Sequence, residues 1–334
     1  MMACKRLKWL DGMRGLAILW ILFVHFVVVF SHNETADFPG FLGLLLFGIS
    51  GKLAVAGCSV IMGYFASKPA SVSLWRYAWR RYITFVIQIL LAEGIYLLLT
   101  RIPAVNGYAL SCVPELSWPL RSLIPLFLKD AFLFEAQLIS TYWCVGAFAA
   151  GSILTFLLSH FMENKPLWMQ MLVCAAAIGG LIQLECTWLA IILMGWALRL
   201  LLKCHFPFQK NPLLWIAMLS VVPWMIRRNE GFLTYLLDGA ASVIVLYVFS
   251  QWKWIQTLLS FRPVAFLGTI SLELFIIHVP IFYVLRQIIH PLCALWLPTG
   301  VYAVMFAAVM LITIPAAAVW KKMTVKLLPK DPKK

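Results

Sequence analysis

The sequence predicts an all-α, polytopic membrane protein with about ten transmembrane helices and with the N- and C-termini both cytoplasmic. Three observations carry that expectation. The first is composition. Of 334 residues, 63% are hydrophobic and 12% charged, whereas an ordinary soluble domain carries about a quarter charged residues and about half apolar ones. With a mean hydropathy of +0.91, too little polar surface exists to coat a water-soluble body. The second is run length, because several apolar stretches reach the ~20 residues that cross a bilayer core. The third is the placement of basic residues. A cytoplasmic N-terminus puts 19 of the 27 lysines and arginines in cytoplasmic segments, six on the opposite side, and Arg14 and Lys52 within helices. That asymmetry follows the positive-inside rule.

The apolar runs, bounded by charge clusters, fall at 12–31, 41–66, 79–99, 121–134 with 138–160, 167–184, 186–203, 212–227, 232–250, 264–289 and 297–320. The segment "RSLIPLFLKDAFLF" is short and holds Lys129 and Asp130, so 121–134 is read as re-entrant or extracytoplasmic and 138–160 as the span. The cytoplasmic segments contain Lys5, Arg6 and Lys8, then Arg76, Arg80 and Arg81, then Lys203 and Lys210, and a basic tail at 321–334. One integral membrane domain over 1–334 is the simplest division, in a multi-pass protein of the plasma membrane (the inner membrane if bacterial).

Composition also excludes function classes. A net charge of +14 is accounted for by cytoplasmic loops facing anionic lipid, where each basic residue contributes about 1 kcal/mol, so no nucleic-acid partner is expected. The eight cysteines are scattered without metal-ligand spacing, and no metal is expected. Cys112 and Cys293 fall in extracytoplasmic segments, where a disulfide is chemically allowed. The long first apolar run, without a small-residue cleavage site, reads as a helix rather than a signal peptide.

Charged groups inside a bilayer cost several kcal/mol and tend to face a bundle interior or a water-filled cavity. Here they are Arg14, His25, Lys52, Glu93, Glu185, Asp238, Glu273 and His278. Glu185 and Arg228 also suit helix ends, and Glu93, Asp238 and Glu273 also suit structural partners for basic residues. Arg14 and His25 are eleven residues apart, which places them on one helix face about 16 Å apart. Asp11 lies about 60° from Arg14 on the same side. Such a face suits the wall of a cavity with a cationic rim and a deeper imidazole. In "GTISLELFIIHVPIFYVL", Ser271 and His278 are seven apart and share a face, and Pro280 kinks the helix just beyond the histidine.

Five segments in order carry a resemblance. "LDGMRGLAILWILFVH" resembles the opening motif of the acyltransferase 3 membrane family: an aspartate, Gly-x-Arg-Gly, and a histidine eleven residues after the arginine. "KLAVAGCSVIMGYF" is similar to the segment ending in Ser-Gly-aromatic, with Gly63 and Tyr64 matching and Met62 in place of the serine. "WRYAWRRYITFV" resembles the cytoplasmic basic motif, without its following proline. "ISTYWCVGAFAAGSIL" resembles the helix that carries a tryptophan, here Trp143. "FLGTISLELFIIHVP" is similar to the late helix with Gly-x-Ile-Ser and His-x-Pro. The chain resembles the short branch, without extra soluble domains.

The resemblance implies transfer of an acyl group, often acetyl, from cytoplasmic acyl-CoA to a hydroxyl of a cell-envelope carbohydrate or a small molecule. The residue chemistry suits that reaction. Arg76, Arg80 and Arg81 offer planar donors to the CoA phosphates, and Arg14 and Lys52 are placed to hold the pyrophosphate or the channel throat. His25 is the expected general base. His278 is expected to orient the acceptor or stabilise an oxyanion, or alternatively to pack structurally against the first helix. Asp11, Tyr64, Trp143, Ser271 and Glu273 are expected to support substrate or structure. Direct transfer is favoured over an acyl-enzyme, since no Cys or Ser stands in a nucleophile motif, with an acyl-imidazole on His25 as the variant. Asn106, Tyr108 and Trp118 in the loop 100–120 suit stacking on a sugar or anchoring at the interface. The competing class is a proton-coupled transporter or flippase of an envelope precursor, which the intramembrane carboxylates and histidines also suit, although no repeat relates the two halves. A third reading is an intramembrane sensor or scaffold.

Overall fold

A computed structural model of the protein describes residues 7–30, 51–67, 73–132, 138–139, 142–204, 217–220, 222, 232–289 and 299–328. Among them there is no strand, and the longest element is a 29-residue helix. The helices are α1 (Lys8–Phe30), α2 (Gly51–Ala66), α3 (Leu74–Leu99), α4 (Pro103–Cys112), α5 (Leu120–Ala131), α6 (Trp143–Met162), α7 (Leu167–Gln183), α8 (Thr187–Lys203), α9 (Phe232–Phe249), α10 (Lys253–Leu259), α11 (Arg262–Thr269), α12 (Ser271–Ile288) and α13 (Thr299–Leu327).

Among the described residues, five helices are long and apolar enough to cross a bilayer, lying in α1, α3, α6, α12 and α13. A sixth is obtained if α9 and α10, which meet at a bend of 106°, are taken as one broken span. The expected count of ten also relies on α2, α7 and α8, of 16, 17 and 17 residues, and on 212–227, most of which lies outside the described residues.

Three differences from the sequence reading have local causes. The expected loop 100–120 is largely helical. Pro103 occupies the first turn of α4, Pro114 opens a 3-10 turn over Pro114–Ser117, and Pro119 immediately precedes α5. Proline lacks the amide that the first turn leaves unpaired, so these prolines start helices rather than break them. The expected helix 264–289 is two helices, α11 and α12, parted at Ile270. There Thr269 turns its hydroxyl back to the Phe266 carbonyl, the local side-chain bond that competes with helix continuation. Finally α3 begins at Leu74 rather than 79, so Arg76, Arg80 and Arg81 lie in the helix itself. Trp75 and Trp79 are exposed beside them, an aromatic and cationic pairing typical of the membrane–water interface.

Glu185 stands in the tight α7–α8 connection, exposed, with φ of 58°. That is the left-handed region, which costs a non-glycine residue about 1–2 kcal/mol. Cys112 is an exposed free thiol, whereas Cys293 lies outside the described residues.

The chain divides into two compact units. The first comprises Met1–Trp20, Leu45–Ala78 and Ala147–Thr269. Its core gathers Leu10, Val60, Ile61, Ile191, Leu198, Leu246 and Leu259. Here α2 crosses α8 at Gly63 and Gly195, where a β-carbon on either would overlap the backbone of the other helix. Close backbone approach at small residues is how helices associate without a hydrophobic driving force. The second unit comprises Ile21–Leu44, Trp79–Gly146 and Ile270–Lys334. Phe26 is its aromatic centre, with ring centroids 4.6 Å from Phe30, 6.3 Å from Phe282 and 5.4 Å from Phe306.

Candidate functional site

The N-terminal part of α1, in the first unit, is clamped to α10 and α11. A β-carbon on Gly12 would overlap the Leu259 carbonyl, one on Gly15 the Val264 carbonyl, and one on Gly268 the Asp11 carbonyl. The glycines of "LDGMRG" therefore exist to let backbones touch. Arg14 closes the seam. Its Nε donates to the Gly268 carbonyl at 2.7 Å, Nη2 donates to the same oxygen, and Nη2 pairs with Asp11 Oδ1 at 3.3 Å. The arginine is thus engaged within the protein, with its guanidinium 5.9 Å from the Phe65 ring centroid. An apolar cavity of about 390 Å³ adjoins α1 on the face of Met13, Leu16, Ala17 and Trp20. That face is roughly 110° round the helix from Arg14.

Lys52 is similarly engaged. Its Nζ lies 5.0 Å from the Tyr235 ring centroid, and its charge acts on the buried carboxylate of Asp238 on α9. Tyr64 is buried, its ring 5.7 Å from that of Phe65. On α3, Arg81 lies 5.0 Å over the Phe85 ring, while Arg76 is exposed.

The second unit holds the histidines. His25 Nδ1 and His278 Nε2 are 2.6 Å apart, and the ring planes agree to within 6°. The ring centroids are 4.9 Å apart, which is what the nitrogen–nitrogen distance plus a ring radius at each end adds to. The rings therefore meet edge to edge, with the lone pair in the plane of the donor. His278 is fully buried, and its Nδ1 faces the carbonyls of Phe275 at 2.7 Å and Leu274 at 3.2 Å. Carbonyl oxygens only accept, so Nδ1 carries a proton. In a neutral His278 the Nε2 is then a lone pair, and His25 Nδ1–H must donate to it. The one nitrogen of the pair left as a free acceptor is His25 Nε2.

Pro280 shapes the same turn of α12. Proline has no amide to give the carbonyl four residues earlier, and its ring pushes that carbonyl aside. The carbonyl in question is Ile276, which receives the Tyr142 hydroxyl at 2.6 Å. An orphaned buried carbonyl costs about 1–3 kcal/mol, and Tyr142 offsets that loss. Tyr142 is itself buried, and Glu93, Tyr96 and Asp130 act on it electrostatically. Asp130 Oδ2 accepts the Leu138 amide at 2.7 Å. Glu93 is fully buried and its carboxyl interacts with that of Asp130. Arg286 donates to the Val29 carbonyl, one of the last carbonyls of α1, as a cation at a helix C-terminus should.

Ser271 and Glu273 are buried in the first turn of α12, where an acidic side chain complements the helix dipole. Trp143 is the first residue of α6, and its side chain lies outside the described residues. Among the described residues no group of three or more His, Cys, Asp or Glu side chains is placed to hold a metal. The ordered path from His25 through His278 to the α12 carbonyls is the chemistry-bearing arrangement, and the motifs that build it run in one order along the chain.

The family model of the acyltransferase domain, acyltransferase 3, matches residues 7–318 of 334. The chain belongs to the acyltransferase 3 family. No curated protein and no solved structure matches it. As an acyltransferase 3 protein it is a multi-pass membrane acyltransferase, and the expected resemblance holds over nearly the whole chain. Sequence reasoning singled out Trp143 in this family's helix and passed over its neighbour Tyr142. The available signal was Pro280, because a proline inside a helix announces a carbonyl in need of another donor.

Proposed function

We propose that this acyltransferase 3 protein moves an acyl group, acetyl in the first instance, from cytoplasmic acyl-CoA to a hydroxyl of a cell-envelope carbohydrate or a small molecule. The observation that carries the reading is the His25–His278 bond, which leaves His25 Nε2 as an oriented lone pair. The acceptor hydroxyl oxygen attacks the thioester carbonyl while His25 Nε2 takes its proton. The tetrahedral intermediate then expels the CoA thiolate, and His25 returns the proton to sulfur, so no net proton is gained or lost. Positioned proton transfer of this kind contributes about 10²–10⁴-fold. His278 acts through His25, holding its tautomer and accepting from the imidazolium that forms.

The proposal rests the CoA phosphates on Arg76, Arg80 and Arg81 at the start of α3, where bidentate guanidinium–phosphate bonding fits. In the same reading Arg14 and Lys52 hold the pyrophosphate or the channel throat, although Arg14 is bonded within the α1–α11 seam and Lys52 lies beside Tyr235. The test uses purified protein in lipid nanodiscs with acetyl-CoA labelled in the acetyl group. Protein-dependent release of CoA thiol that disappears in His25→Ala is the expected result. Neither binding nor thiol release, together with proton-driven movement of a solute, would replace the reading with a transporter.

A further inference from the structure

Tyr142 donates to the carbonyl that Pro280 strands, and that carbonyl lies in the turn that fixes His278. Along α12 the relevant oxygens are consecutive. Leu274 and Phe275 face His278 Nδ1, and Ile276 accepts from Tyr142. A proline within a helix leaves the preceding turn free to tilt, and a tilt there would move two of the acceptors that define the His278 tautomer.

We propose that Tyr142 is a positioning residue for the histidine pair: its hydroxyl replaces the backbone donor missing at Pro280, pins the 274–276 carbonyls, and so keeps His278 Nε2 open to His25. Three features of the site support this. The bond is short, at 2.6 Å, and buried at both ends. The acceptor is the one carbonyl that proline geometry deprives of its helical partner. The two arms converge on neighbouring carbonyls of α12: His25 Nδ1–H donates to His278 Nε2 and His278 Nδ1–H to Phe275, while the Tyr142 hydroxyl donates to Ile276 from the other side. The pairing also gives the His-x-Pro sequence a physical sense. The histidine reads the carbonyls of the turn, and the proline two residues on frees the last of them for a phenol from the start of α6. The inference rests on the acyl-transfer reading for its functional consequence, but the geometry it tests does not.

The experiment is a double-mutant cycle of Tyr142→Phe with Pro280→Ala, since alanine restores an amide to the Ile276 carbonyl. Two readouts separate the outcomes. One is the imidazole ¹⁵N spectrum of histidine-labelled protein in nanodiscs, assigned by single His→Gln variants. The other is thiol release from acetyl-CoA. Tyr142→Phe alone should shift the His278 Nδ1 signal away from that of a protonated, hydrogen-bonded nitrogen. It should also lower turnover about 10- to 100-fold, the usual loss when an orienting partner is removed, with KM for acetyl-CoA little changed. In the Pro280→Ala background the same substitution should change both readouts by less than about twofold, because contacting groups couple. An equal effect in both backgrounds, or an unmoved His278 signal in Tyr142→Phe, overturns the proposal. If Pro280→Ala fails to insert, the isosteric Tyr142→Phe spectrum decides alone. Absence of thiol release from wild-type protein would sink the acyl-transfer reading and leave the spectroscopic test intact.

Discussion

His25 and His278 face each other edge to edge across 253 residues of chain, with Nδ1 of the first 2.6 Å from Nε2 of the second. With both rings neutral one proton lies between them, and the Phe275 carbonyl, by holding His278 Nδ1–H, leaves that proton on His25. That relationship separates the two histidines: both ring nitrogens of His278 are engaged, and His25 commits Nδ1 to the pair.

The first prediction follows from that separation. His25→Ala should abolish thiol release from acetyl-CoA, a loss of about 10²–10⁴-fold or more, while the protein still folds and inserts. His278→Gln should cost less, because an orienting group is removed and the base itself remains. Thiol release assayed on equal amounts of inserted protein checks both, and wild-type turnover in His25→Ala would remove the base assignment.

The second concerns the glycine seam. Gly268→Ala drives a methyl group into the Asp11 backbone and should destabilise by about 1–3 kcal/mol or more, as overpacking does. Gly94→Ala meets nothing within 4 Å and should be neutral or slightly stabilising. Thermal unfolding in detergent compares the two, and equal melting temperatures would contradict the seam.

Arg14 gives a third. Arg14→Lys retains the charge but loses the planar fork that meets Gly268 and Asp11 together. The expected loss is about 1–3 kcal/mol of stability, with a smaller loss for Asp11→Asn. Stability equal to wild type in Arg14→Lys would show that charge alone is needed.

A fourth addresses the donor. Neutralising Arg80 and Arg81 to Gln should weaken acetyl-CoA binding, and added salt should reduce the difference between variant and wild type, as screening requires. Isothermal titration at low and high ionic strength measures it. Unchanged affinity would assign these arginines to membrane topology alone.

Topology is checked by thiol labelling. Cys112, exposed on α4, should react with an impermeant maleimide in intact cells. A cysteine placed in the 321–334 tail should react only after permeabilisation. The reverse pattern would invert the orientation.

Much of this protein was legible without coordinates. Composition and run length determined an α-helical membrane protein, because lipid admits only helices and closed barrels, and continuous apolar runs of ~20 residues fit a spanning helix rather than a short barrel strand. The 100° per residue step placed Arg14 and His25 on one face, and the order of motifs identified the family. The tertiary structure alone decided what those residues touch. Arg14 meets a carbonyl 254 positions away, His25 meets an imidazole 253 away, and Tyr142 meets the carbonyl that Pro280 left bare. Periodicity describes one helix at a time. The partner across a seam depends on how close two backbones come, and in this chain glycines such as Gly15, Gly63 and Gly268 set that distance only once the helices have been brought together.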